Sequence, residues 1–274
     1  MATAPIEVVA WDAGRMLVNA AFAPLLQRFG LTTAASVLAL GRGEVYREVG
    51  ERVTSRHEFA VDGRVQAVYL KRHGPITWRE RWKAWTKLRA PVWGARPEWD
   101  AVLEFHRLGI PTMTPIACGE LDGRSWLLTD ALEHCVRLDH WFAGASPTCP
   151  INRRVRHAVI ERMAQLTRHM HVSGWHHQDL YWCHVLWPQG TPPEHLHVID
   201  LGRVQPHSAT LGRRWVIKDL SQLLFSSKSL TAAEKLRFLR CYLGRRLTAR
   251  DKRFVRRLRW KAGRIERHSK RHGL

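Results

Sequence analysis

The chain has 274 residues, 45% of them apolar and thirteen of them tryptophan, which excludes a disordered protein and suits one large domain or two lobes around a cleft. Lys and Arg number 44 against 24 Asp and Glu, a net charge of +20, so the expected partners are polyanions: nucleic acid, anionic lipid, phosphorylated glycan or an acidic protein. No apolar run is long enough to span a bilayer, and the opening MATAPIEVVAWDAG lacks the marks of a signal peptide.

In chain order, residues 44–71 predict three short strands, EVYREVG, TSRHEFAV and RVQAVYLK, the last two joined at Asp62-Gly63 and the third ending on Lys71. ITWRERWKAWTKLRAPVW, residues 76–93, predicts a basic helix with Trp78, Trp82 and Trp85 on one face. A further helix opens at Pro97 and closes at Gly109. Two strands follow around Asp122-Gly123, and the character of the chain changes near 130–133. Asn152 is placed to cap a long helix with Val155, Val159, Met163 and Leu166 at helical spacing. After HHQDLYWCHVLW come a short strand, VLW, a PQGTPP turn and a second strand, LHVID, ending on Asp200. From about 214 onward the pattern is helical, and the last thirty residues hold thirteen Lys and Arg above a stripe of Phe254, Leu258 and Ile265. Five scattered cysteines, at 118, 135, 149, 183 and 241, form no C-x-x-C pair and argue for reduced thiols in a cytosolic protein.

Phosphoryl transfer from ATP needs a lysine on the phosphates, a helix carboxylate to position it, a loop aspartate for the hydroxyl nucleophile, and ligands for magnesium. The chain offers Lys71 at a strand end, then Glu98 (with Glu104 as a substitute) on the next helix, Asp179 after the long helix, His184 five residues on, and Asp200 in an Asp-Leu-Gly. Each has a plainer reading: a solvated lysine, a first-turn carboxylate favoured by the helix dipole, an aspartate closing a turn. Asp200 resists such a reading, because a carboxylate at the end of an apolar strand requires a partner or a metal. His184 is either a metal or phosphate contact or the donor of a loop-organising hydrogen bond, since magnesium prefers oxygen.

The segments GEVYREVGERV, VYLKRHGPITWRE, ARPEWDAVLEFHRLGIPT, HHQDLYWCHVL, VIDLGRVQ and KDLSQLLFSS, in that order, resemble the lipopolysaccharide core heptose kinase family, a branch of the protein-kinase-like fold. The resemblance runs from Gly43 to Ser227. It implies an α+β, bilobal, protein-kinase-like fold, with a small antiparallel-sheet lobe over residues 1–131 and a mainly helical lobe over 132–274. It further implies a kinase using ATP and magnesium (Mg2+) to phosphorylate a heptose hydroxyl of the lipopolysaccharide inner core on lipid A, at the cytoplasmic face of the bacterial inner membrane. Carried across, Asp179 is the catalytic base, Lys71, Glu98 and Gly50 serve the nucleotide, Asp200 and His184 the metal, and His177 and Asp219 support the loop.

Departures from ordinary protein kinases are informative. Gly50 stands alone where a glycine triplet is usual, Gln178 replaces the arginine before the catalytic aspartate, and Tyr181 replaces a lysine that assists the γ-phosphate. No A-P-E follows Asp200, which counts against protein substrates. Other acceptors (Kdo, another small molecule, protein tyrosine) are the alternative within the fold. A non-catalytic nucleic-acid-binding module is the alternative outside it, resting on charge alone, without an RNP-type strand, a G-x-x-G loop or zinc-finger spacing. The tryptophan-bearing helix and the basic C-terminus are either solvated and core-packed surfaces or contacts to an anionic inner-membrane surface; an acidic protein partner is equally compatible.

Overall fold

Alternating apolar and polar residues make the strands of the first half, and two Asp-Gly pairs set their hairpins. Both members of Asp62-Gly63 and of Asp122-Gly123 take positive φ (49° and 77°, 50° and 73°), the backbone that two-residue hairpins demand. The computed structural model describes residues 5–75, 94–144, 152–188 and 190–272; the predicted 76–93 helix with its face of Trp78, Trp82 and Trp85 lies outside them, as does Cys149. The chain divides into two units, one of residues 1–133 with 200–203, the other of 134–199 with 204–274.

The first unit is built on a seven-stranded antiparallel sheet in the order β1-β2-β6-β7-β5-β4-β3. Its strands are β1 (Val8–Trp11), β2 (Met16–Asn19), β3 (Glu44–Val49), β4 (Arg52–Val61), β5 (Arg64–His73), β6 (Pro115–Leu121) and β7 (Arg124–Asp130). Strand β5 runs two residues past Lys71, and its register continues between β4 and β7 to the end. The edge pair β1 and β2 is not evident in the sequence: each strand has four residues, too few for a visible alternation. Met16, Val18, Val68, Leu70, Trp126 and Leu128 are fully buried in one cluster, covered by the short helices α1 (Ala23–Arg28) and α2 (Ala34–Leu38) through Leu26 and Val37. Helix α3 (Arg96–Arg107) carries Pro97 in its first turn and ends before Gly109, whose φ of +68° is the left-handed backbone that glycine adopts at least cost. It buries Glu98, Trp99, Ala101, Val102 and Phe105 on one face.

The second unit is mainly helical. Helix α4 (Leu138–Ala143) is followed by α5 (Arg153–Val172), where the Asn152 side chain accepts from the Arg154 amide and Val159, Met163 and Leu166 are buried. Helices α6 (Ala209–Ser226), α7 (Ala232–Leu243) and α8 (Lys252–His272) complete it, α6 beginning five residues before the predicted helical region. Small strands carry the intervening loops: β8 (Cys135–Arg137), β9 (Trp175–His176), β10 (Val185–Pro188), β11 (His197–Val198) and β12 (Gln205–Pro206). Strand β11 stops short of the predicted end at Asp200 because that residue takes a φ of +59°, outside the strand region. Trp182 is buried against Phe142, with ring centroids 5.2 Å apart, and its indole N–H donates to the Leu223 carbonyl at 3.0 Å. The aromatic half of HHQDLYWCHVLW therefore serves as core. No described helix is long and apolar enough to cross a membrane.

Candidate active site

Helical spacing places Glu98 on the buried face of α3, where an isolated carboxylate is costly. Lys71 resolves this: its Nζ donates to Glu98 Oε2 at 2.7 Å and to Oε1 at 3.1 Å, and to Asp200 Oδ1 at 3.1 Å. The Glu98 side chain is 2% exposed and that of Asp200 is 37% exposed, so the lysine links a sealed carboxylate to an open one. Burial alone would lower the Lys71 pKa; the charges of Glu98 and Asp200 outweigh it and hold the ammonium above its ordinary range. Glu104 is instead paired with Arg107. Gly50 takes φ +58° in the turn between β3 and β4 and is exposed.

In the second unit the loop after α5 is fastened to α6 through backbone amides. Asp219, fully buried, accepts from the His177 and Gln178 amides at 2.8 Å each. Burial would raise its pKa, but the hydrogen bond and charge of His171, with a contribution from His177, hold it below the ordinary carboxylate value. His171 Nε2 lies 3.1 Å from Asp219 Oδ2 and its Nδ1 2.9 Å from the Tyr242 hydroxyl, a buried chain running from α7 to the loop. Gln222, one turn after Asp219, donates to the Gln178 carbonyl at 2.9 Å, to Asp179 Oδ1 at 3.3 Å and to the Tyr181 hydroxyl at 3.1 Å. His177 Nε2 donates to the Ile199 carbonyl at 3.1 Å, and its Nδ1 accepts from the Asp179 amide at 3.3 Å. His184 Nδ1 donates to the Asp179 carbonyl at 2.7 Å. Gln178 holds a φ of +67°, so Asp179 follows a strained non-glycine residue of a kind that clusters at functional sites.

A family model described as the lipopolysaccharide kinase (Kdo/WaaP) family matches residues 38–242. The chain belongs to that family. Lipopolysaccharide core heptose(I) kinase WaaP of Pseudomonas aeruginosa is 39% identical over 217 residues, covering 75% of this chain and 79% of that protein. The protein of the same name from Escherichia coli K12 is 35% identical over 246 residues, covering 85% of this chain and 91% of its own. Among solved structures, WaaP in complex with acyl carrier protein matches at a TM-score of 0.71 and 31% identity, covering 96% of this chain and 99% of that one. Family membership makes the protein a phosphotransferase with a kinase-like fold.

For a kinase of this family the donor chemistry suits a hard cation. Asp200 offers carboxylate oxygen, and magnesium is ordinarily held by one or two carboxylates together with substrate phosphates. Among the described residues no group of three or more His, Cys, Asp or Glu side chains stands together as a metal cage. Sequence reasoning did not single out Gln222, Lys218, His171 or Tyr242. The first two lie within KDLSQLL, where positions 218, 219 and 222 share a helical face, and that spacing was the available signal. His171 and Tyr242 are 71 residues apart, and only the packing of α5 on α7 joins them.

Proposed function

We propose that the protein transfers the γ-phosphate of ATP to a heptose hydroxyl of the lipopolysaccharide inner core. The observation that carries this reading is the junction of Lys71, Glu98 and Asp200, an ammonium held charged by two carboxylates in a member of a lipopolysaccharide kinase family. In it, Lys71 binds nucleotide phosphate, Glu98 fixes the lysine, and the Gly50 turn lies against the nucleotide. Asp200 would hold magnesium through carboxylate oxygen; His184, whose Nδ1 is engaged by the Asp179 carbonyl, would serve the metal or its water through its other ring nitrogen. Magnesium, when bound, neutralises charge on the β- and γ-phosphates. Asp179 orients the acceptor hydroxyl and takes its proton, while Asp219 and His177 keep the loop in place.

The relatives named heptose(I) kinase support heptose as the acceptor. The family description also names Kdo, which makes that sugar the second acceptor to test. The charge of +20 suits a phosphorylated substrate embedded in an anionic membrane, so we place the protein at the cytoplasmic face of the inner membrane. The same charge suits an acidic protein, and the matching WaaP structure contains acyl carrier protein. The test is transfer of labelled phosphate to core saccharide lacking heptose phosphate, against Kdo-only and tyrosine-peptide acceptors. Asp179→Ala and Asp200→Ala should each lower kcat by about 10³-fold or more; transfer at the parent rate by either variant refutes the assignment.

A further inference from the structure

We propose that Lys218 is a catalytic residue, supplying from α6 the cation that the catalytic loop does not contain; this rests on the kinase reading with Asp179 as its base. Residues 176–184 include no lysine or arginine. Tyr181, two residues after Asp179, is neutral and committed elsewhere: its ring lies edge-on to His184 and Phe225, with centroids 5.8 and 6.3 Å apart, and its hydroxyl accepts from Gln222. Yet a phosphoryl group in transfer spreads negative charge over three oxygens beside the attacking hydroxyl, and that charge must be met by fixed donors.

Helix α6 brings such a donor. Lys218 Nζ lies 3.9 Å from Asp179 Oδ1, and 5.4 Å from the ring centroid of Trp215, one turn earlier on the same helix. The Lys218 and Asp179 side chains are 23% and 24% exposed, so neither is sealed from a ligand. A separation of 3.9 Å exceeds a direct hydrogen bond, and a substrate oxygen can stand about 3 Å from both atoms at once. The spacing is fixed because the next residue, Asp219, binds the loop amides and Gln222 binds Asp179 from the same helix. In the step, the acceptor oxygen bonds to the γ-phosphorus as the bond from that phosphorus to the β–γ bridging oxygen breaks. The electron pair leaves with ADP and the hydroxyl proton passes to Asp179. Lys218 stays protonated throughout and donates to a γ-phosphoryl oxygen.

The competing role is purely local: an ammonium that only keeps Asp179 ionised and oriented. Two measurements on the full chain separate them. Steady-state transfer to core saccharide should show kcat for Lys218→Met lowered by about a hundredfold, with KM for ATP and saccharide near parent values. Lys218→Arg, which keeps the charge, should retain at least tenfold more of kcat than Lys218→Met. Independently of turnover, aluminium fluoride should tighten Mg-ADP binding to the parent and not to Lys218→Met, while Mg-ADP alone binds both equally. Parent-like kcat in Lys218→Met, equal kcat in the Met and Arg variants, or undiminished aluminium fluoride tightening would each overturn the proposal. Transfer by the parent establishes the reading beneath it, so these outcomes bear on Lys218 alone.

Discussion

Lys71 and Glu98 show how a stabilising contact and a functional one come to share atoms. A carboxylate that is 2% exposed must be compensated, and the ammonium that compensates it is the group assigned to the nucleotide. Lys71→Met should therefore destabilise the protein by about 3–5 kcal/mol, the cost of leaving a buried charge without its partner. Lys71→Met combined with Glu98→Gln should recover much of that loss, since the buried charge is gone, without recovering phosphate transfer. Denaturant unfolding and kinase assay on the three variants check both halves, and restored activity in the double variant would refute the nucleotide role. The sequence brought Lys71, Glu98 and Asp200 forward by type and order, and Asp200 also because a carboxylate at the end of an apolar strand is conspicuous. It put Glu98 first and kept Glu104, six positions further along the same helix, as a substitute. Only the packing of α3 decided between them, burying the first and leaving the second to Arg107.

Among elements, α6 organises the loop, and α7 in turn braces α5. The α7 cap illustrates the second link: Thr231 and Glu234 form a capping box, and Arg156 of α5 donates to the same Glu234 carboxylate. Thr231→Ala should cost about 1 kcal/mol in denaturant unfolding with kcat unchanged, whereas Glu234→Ala should cost more because it also deprives Arg156 of its partner. Equal losses from the two variants would show that the Arg156 pairing contributes nothing. Helix starts and hairpin turns were legible because Asn152, Pro97, Asp62-Gly63 and Asp122-Gly123 act through their immediate neighbours. Strands β1 and β2 were not, since a four-residue strand draws its stability from pairing with a distant one, here β6.

For the molecule as a whole, the pH dependence of stability follows from histidines that fold in the neutral form. Burial, aided by the charges of Lys71 and Arg52, lowers His73 from 6.5 to about 4; burial, aided by His171, does the same for His176. Neither ring nitrogen of His73 has a hydrogen-bond partner among the described residues, which fits a neutral ring. Between these values the unfolded chain binds protons that the folded chain does not. Stability is therefore fully present above pH 6.5 and declines as pH falls toward 4, by on the order of 3 kcal/mol for each ring. Thermal melts from pH 7 to 4.5 should show this decline, and His73→Phe should flatten it; an unchanged slope in that variant would mean His73 is not among the groups responsible.

Composition and local pattern determined the charge of +20, the hairpins, the long helices and the order of the family motifs, because each depends on residue type or on neighbours within a turn or two. The tertiary structure decided which carboxylate meets Lys71, which helix anchors the Asp179 loop, and that Lys218 stands beside that aspartate. Those choices depend on how distant segments bury one another, and partners 27 to 129 residues apart leave no local trace in the chain.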